Sequence, residues 1–420
     1  MAEAIVHLSS IVGSPLLDSA GERLGEVEDV VARLGEDDGP PPVIGLEARI
    51  GGRELFVPID RIERLEPVAA RTATTKLDLA QFERRPSELL LRSDLLDHSL
   101  INVDTAHLVR AREVDLVCDE GTWRVAGIDP SFRARLRRLL PRRYRTHQAE
   151  HDKFVPWVQM EPLVGHVPTS RLKLTPRRIA RLHPAQIADL VEAASHDEGE
   201  EILEAVGQDK ELEADVFEEL DDEYQVEFLR DRSDPEVAAV LERMASDDAA
   251  DLLLELDQDR RLPILNLLPP RKQRKIRELL GHNPSTAGGI MNPDFVSAPA
   301  DAEVRHALAA VRASELGPQQ VSIVCVVDDE WKLVGALTLA QLIRSGETDK
   351  LRSLIDDAPI PTVAAEEDLP DVARVMSDYN LIALPVVDGD GKAAGIISVD
   401  DILELLIPED WRRRAGAARD

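Results

Sequence analysis

"VVDGDGKAAGIISVDDI" spans Val386–Ile402, and sixty residues earlier "VVDDEWKLVGALTLAQL" spans Val326–Leu342. The two share a valine pair, an Asp, a Lys, a Gly and a hydroxyl residue in step. An amphipathic helix precedes each. Val304, Ala307, Leu308 and Val311 fall at i, i+3, i+4 and i+7, and Val372, Val375, Met376 and Tyr379 do the same. Each helix leads to a β-branched strand, a turn, a second strand carrying Gly335 or Gly395, and another helix. One such unit cannot bury both faces of its small sheet, whereas two packed sheet to sheet can. The copies differ in two ways: copy one carries eight extra residues around Glu315–Gln320, and only copy two ends in two aspartates.

Upstream, Thr175 to Leu280 is helical in pattern. "HPAQIADLVEAA", "PEVAAVLERM" and "DDAADLLLEL" are each two or three turns long, with polar breaks between them. "IADL" at 187–190 returns as "AADL" at 249–252, so a superhelical stack of short helices is expected. The N-terminal region reads differently. "SSIVGSPLLDSAGERLGEVEDVVARL" and "PPVIGLEARIGGRELFVPIDRI" are short alternating runs cut by glycine turns, the pattern of a small β unit. "LLDHSLINVDTAHLVRAREVDLV" (95–117) echoes the first of these with about five residues inserted. "RARLRRLLPRRYR" (133–145) reads as a short basic helix. It either contacts an anionic surface or is a solvated helix end facing the acidic half of the chain, and the second reading is favoured. Residues 146–172 hold Pro156, Pro162 and Pro168 without a period and read as a linker.

Net charge is −30, which argues against general nucleic-acid binding. The charge is uneven, with 27 acidic and 5 basic residues between Ala185 and Arg260, against seven arginines between Ser131 and Arg145. The longest apolar run, Val321–Val327, is interrupted by a serine and is far short of a membrane span. "MAEAIVHLSS" lacks a basic flank and an apolar core, so no signal peptide is expected. The two cysteines, Cys118 and Cys325, sit in strand-like runs and read as core thiols of a reducing cytoplasm. There is no HExxH, CxxC or P-loop, and no enzyme is expected.

The tandem resembles a pair of CBS domains, through "VVDDEWKLVGALTLAQL", "LPVVDGDGKAAGIISVDDIL" and "GGIMNPDFVSAPADAEV". The helical stretch resembles the cytosolic N domain of the MgtE magnesium transporters, through "LHPAQIADL", "MASDDAADLLLEL" and "IRELLGHNPSTAGGIMNPDFVSAPAD". The first β unit resembles a PRC-barrel domain, chiefly through "VGSPLLDSAGERLGEVEDV" and "FVPIDRI". The expected fold is therefore multidomain α+β. It runs as a PRC-barrel-like domain over 1–68, a second over 88–145 with the basic helix, and a linker over 146–172. An MgtE N-like helical domain over 173–283 follows, then CBS domains over 284–356 and 357–410. The family continues into a membrane pore, while this sequence runs to Asp420. The resemblance thus implies the sensing part of a magnesium channel, cytoplasmic or peripheral at the inner membrane face, acting on a membrane transporter as partner. CBS pairs commonly pack as dimers, so a homodimer is expected.

Asp247 and Asp251 stand four apart in "SDDAADLL", on one helix face, with Asp248 one residue round. Like charges so placed repel by a few tenths of a kcal/mol unless a cation lies between them. Mg²⁺ keeps several waters, so one or two carboxylates per ion suffice. The residues alone favour a solvated acidic face capped by Ser246 or Asp247. The resemblance implies Mg²⁺ at these acids and, across the domains, at Asp401 and Glu404. It also implies an adenine nucleotide, ATP or AMP, beside Ser398 and Asp401, where the carboxylate would accept from the ribose hydroxyls. Thr338 is the counterpart of Ser398, but Gln341 is a poorer ribose acceptor than Asp401, so at most one well-formed nucleotide site is expected. Asn380 and Pro370 stand where the family often places acids, so fewer or weaker metal sites are expected.

Overall fold

The computed structural model describes residues 5–134, 154–162 and 178–406, apart from short stretches at 36–38, 67–68, 74–79, 86, 120 and 358–359. The body of the basic helix expected over 133–145 lies outside them. The chain divides into two compact units, Met1–Leu220 and Asp221–Asp420.

The first unit is built on two interleaved β repeats. Repeat one runs through β1 (Ile5–His7), a short turn of helix α1 (Leu8–Ile11), β2 (Pro15–Leu17), β3 (Arg23–Arg33), β4 (Val43–Ile50) and β5 (Arg53–Pro58). A 3-10 turn (Ile59–Arg61), β6 (Ile62–Glu66) and β7 (Ala69–Thr72) complete it, and the two-residue β8 (Ala80–Gln81) pairs with β5. Repeat two repeats that order, with β9 (Glu88–Leu90), a π-helical turn (Leu91–Leu95), β10 (Ser99–Asn102), β11 (His107–Arg110), β12 (Glu113–Asp119) and β13 (Thr122–Asp129). It closes with β14 (Val155–Pro156), a 3-10 turn (Trp157–Gln159) and β15 (Met160–Pro162).

The correspondence is close at the glycines. A Cβ on Gly45 would meet the Phe56 ring at 2.5 Å, and one on Gly127 would meet the Phe154 ring at 2.7 Å. Gly45 pairs with Pro58 and Gly127 with Pro156, so "FVP" at 56–58 and at 154–156 do the same work. The stretch read as linker thus supplies the last strands of repeat two. It was missed because a long interruption separates it from β13 and its strands are two and three residues long.

The repeats exchange their first strands. β1 pairs antiparallel with β12, Val6 opposite Leu116, and β9 pairs antiparallel with β3, Leu89 opposite Ala32. One hydrophobic core serves both, with Leu8, Leu16, Val27, Leu91, Leu116 and Trp157 all buried in it. Among the described residues the strands form open sheets and no closed barrel. The two separate barrels expected over 1–68 and 88–145 are therefore not seen, because each repeat's opening strand lies in the other's sheet. Helices α2 (Pro184–Ala193), α3 (His196–Val206) and α4 (Lys210–Glu219) complete this unit, with α2 packed on both α3 and α4.

In the second unit α5 (Asp222–Arg230), α6 (Asp234–Leu241), α7 (Ser246–Glu255), α8 (Gln258–Leu267) and α9 (Pro270–Leu279) follow one another. α5 packs on α7, α6 on α8 and α7 on α9, the next-but-one contacts of a stack. Local sequence sets the breaks. Ser233 and Glu236 form a capping box at the start of α6, and Ser195 and Glu198 form one at the start of α3.

The tandem follows. Its first copy has α10 (Ala287–Ile290), β16 (Val296–Pro299), α11 (Val304–Ala313), β17 (Ile323–Val327), β18 (Leu333–Thr338) and α12 (Leu339–Arg344). The second has α13 (Leu351–Asp357), β19 (Val363–Ala364), α14 (Leu369–Tyr379), β20 (Ala383–Val387), β21 (Ala393–Ser398) and α15 (Val399–Leu406). In each sheet the first strand runs parallel to the second and the third antiparallel. The sheets meet face to face through Ile323, Cys325, Ala336, Ala383 and Ile396, as the duplication required. Burial there pushes the Cys325 thiol up to about 12, so it is an inert core group. The hairpin tips also join, Leu333 N–H donating to Gly391 O at 3.0 Å.

Candidate functional site

Asp247 and Asp248 sit in the first turn of α7, where the helix dipole favours negative charge, and Asp251 lies one turn on from Asp247. They are graded in exposure. Asp247 is buried, Asp248 half-buried and Asp251 exposed. Neither Ser246 nor Asp247 caps the helix through its side chain: the cap is Ala245. Ser246 instead donates its hydroxyl to Asp294 Oδ2 at 3.0 Å.

Asp294, which sequence reasoning missed, is the hub of this corner. Its other oxygen is ion-paired with Lys275 of α9, and its N–H donates to Asn292 Oδ1 at 2.8 Å. Burial works to raise the Asp294 carboxyl. The Lys275 hydrogen bond and charge, the Ser246 hydroxyl and the field of Lys272 outweigh burial and hold it below the usual carboxylate range. The signal in the sequence was "NPD", an Asx turn beside a Lys-rich helix, but nothing local told which acid the lysines meet.

The second group of candidates stands at the far end of the tandem. Ser398 closes β21 and Asp401 opens α15. Asp401 Oδ2 accepts from Ser398 N–H at 2.7 Å, and Ser398 Oγ accepts from Asp401 N–H at 3.3 Å. Thr338 and Gln341 form the same capping box in copy one, with Gln341 Oε1 accepting from Thr338 N–H at 2.8 Å. The hydroxyl residue and the acceptor three residues on thus start a helix in both copies. Glu404 lies on α15, one turn beyond Asp401. Asp400 Oδ2 accepts from Gln319 Nε2 at 2.8 Å. The extra residues of copy one thus reach Asp400, while Asp401 takes the place that Gln341 holds in copy one.

Among the described residues no three His, Cys, Asp or Glu side chains converge as a metal cage. Asp247, Asp248 and Asp251 share one helix, whereas Asp401 and Glu404 belong to the last one. Among the described residues no helix is long and apolar enough to cross a membrane.

Comparison with known proteins assigns the two halves of this region. The MgtE intracellular N domain matches residues 182–285, and the CBS domain matches 287–347 and 352–408. The magnesium transporter MgtE of Thermus thermophilus is 29% identical over 201 residues, and that of Enterococcus faecalis is 35% identical over 144. The chain spans less than half the length of these relatives, 44% and 32% respectively. The crystal structure of the cytosolic domain of the Mg²⁺ channel MgtE in complex with ATP is 27% identical, with a TM-score of 0.51. It covers 57% of this chain and 96% of its own. Residues 182–408 are thus an MgtE intracellular N domain followed by tandem CBS domains, the arrangement of the cytosolic part of MgtE.

Proposed function

We propose that this chain is a non-enzymatic, magnesium-responsive regulator of magnesium transport. Its ligand is Mg²⁺ held by the acids of α7, and its output passes to a membrane transporter from the cytoplasmic side. The observation that carries this reading is the graded acidic turn of α7, placed in a domain of MgtE type. A hydrated ion needs no preformed cage of three or more side chains. Asp247, Asp248 and Asp251 would supply one or two carboxylates, water would fill the other positions, and Asp401 and Glu404 would hold ions at the CBS side. With a net charge of −30, the chain repels itself until cations screen or bridge it. On this reading the acidic helical domain closes onto the CBS pair when the cation binds, and a ligand that binds only that closed form, at a hundred times its Kd, shifts the equilibrium by about 2.7 kcal/mol.

An adenine nucleotide is the second reading, favoured by Ser398 and Asp401 and by the ATP bound to the related cytosolic domain. A ribose would share the Asp401 carboxylate with the Ser398 N–H. The β repeats are read as PRC-like docking modules, on their sequence pattern. A scaffold without ligand remains the reading to which failure of both ligands would lead.

The test is the melting temperature against Mg²⁺ at fixed ionic strength, for the wild type and for Asp247→Ala/Asp251→Ala, with AMP as a separate arm. A saturable rise that shrinks in the double variant supports the cation reading. No rise, or an equal rise in both, removes it. A rise with AMP that Asp401→Ala abolishes turns the assignment to nucleotide.

A further inference from the structure

The corner where α7 and α9 meet the tandem already contains a cation. Lys275 projects from α9 onto Asp294, and Ser246 of α7 holds the other oxygen of the same carboxylate. One turn earlier on α9, Lys272 Nζ donates to Met244 O, the carbonyl just before α7. On the tandem side the lead-in to copy one is sewn to copy two. Asn292 N–H donates to Ile396 O at 2.8 Å, and Ile396 N–H returns a bond to Asn292 O at 3.0 Å. That approach needs Gly395, where a Cβ would meet Asn292 O and Met291 Cγ at 2.9 Å. A continuous path thus runs from α9 through Lys275, Asp294 and Asn292 to β21.

The Lys275 and Asp294 side chains are 17% and 25% exposed, so solvent screens the pair only in part. Charge-assisted hydrogen bonds of this kind are the strong ones, and removing one partner leaves a half-buried charge uncompensated. The geometry points to Lys275 as a resident cation that latches α7 and α9 to the CBS pair without any metal. An ion is therefore not needed to hold this corner together. If α7 takes Mg²⁺, the closing movement is that of the other acidic helices, while α7 and α9 stay on the tandem. That last step rests on the cation reading above; the latch does not.

Hydrogen exchange on the full chain tests it, in EDTA and in saturating Mg²⁺, for wild type, Lys275→Met and Lys275→Arg. The amides of Asn292, Asp294 and Ile396 and the first turn of α7 are followed. In the wild type they exchange equally slowly in both buffers. In Lys275→Met they exchange at least about tenfold faster in EDTA, and Lys275→Arg, which keeps the charge, stays near the wild type. The amides of Val386 and Gly395, opposite each other in the β20–β21 ladder, serve as the fold check. Should Lys275→Met lose their protection too, Asp294→Asn replaces it with the same expected local loosening. A wild type that opens at these amides in EDTA overturns the latch, as does a Lys275→Met chain no faster than wild type. A wild type with no Mg²⁺-dependent change at any residue overturns the cation reading and leaves the latch standing.

Discussion

Two buried carboxylates hold the β repeats together, and each serves the opposite repeat. Glu113 of repeat two accepts from Ser9 N–H at 3.0 Å and from the Ser9 hydroxyl at 2.5 Å. Asp29 of repeat one accepts from Arg92 N–H at 2.8 Å, Ser93 N–H at 3.0 Å and the Ser93 hydroxyl at 2.9 Å. Burial raises the Glu113 carboxyl above its ordinary value of 4.5, against the lowering effect of Ser9 and of nearby His7. An acid whose pKa is raised on folding binds its proton more tightly in the folded chain. Its contribution is therefore full below the ordinary value and is lost as pH rises through the raised one. Urea melts of the wild type and Glu113→Gln should show the wild-type advantage shrinking as pH rises above the ordinary carboxylate range. An advantage that grows with pH would contradict this sign. Neither acid was legible as special in the sequence, because "REVDLV" and "VEDVV" read as ordinary alternating strands whose partners lie 104 and 64 residues away.

Among the elements, legibility followed contiguity. The CBS copies were readable because each is an unbroken helix-strand-turn-strand-helix, with Asp328 and Asp388 making matching turns. Asp328 Oδ1 accepts from Lys332 N–H at 2.9 Å, and Asp388 Oδ1 from Lys392 N–H at 2.8 Å. The acids of α7 were readable by spacing, but Lys275 was not, since the Asp294 it meets belongs to another element. The β repeats were half-readable, because hydrophobic alternation reveals strands and says nothing of which sheet they join. The exchange makes a crosswise prediction. Asp29→Ala removes the acceptor for three bonds to the turn at Leu91–Leu95, so hydrogen exchange should quicken in repeat two, at Arg92 and Ser93, more than around residue 29 itself. Loosening confined to β3 would show that the repeats fold as independent units. The expected cost is about 1–3 kcal/mol, the penalty of leaving buried donors unmet.

At the scale of the molecule, the tandem leaves apolar groups outside. Ile343, Tyr379, Ile382 and Leu406 are 67%, 61%, 61% and 63% exposed on α12, α14, the loop after it and α15. Helices of the two copies carry them, and a second copy of the chain would cover them, which is the basis for the homodimer proposed from the CBS resemblance. Light scattering should give about twice the mass of the chain, 46.4 kDa. Ile343→Glu with Ile382→Glu should return it to one. A monomeric wild type at micromolar concentration would remove the homodimer and leave these residues for another partner.

The exchange of first strands also sets an order of events during synthesis. His7 meets Asp115 across 108 residues of chain, so β1 leaves the ribosome long before its place exists. At ~5–20 residues per second the wait is on the order of 5–20 s. Until β12 arrives, β1 has no strand to pair with, whereas the edge of β3 is covered sooner, when β9 emerges. The first strand made therefore waits for one of the later ones. A chain halted between Leu90 and Glu113 would carry β1 without its partner strand, the kind of surface that chaperones hold and that neighbouring nascent chains can join.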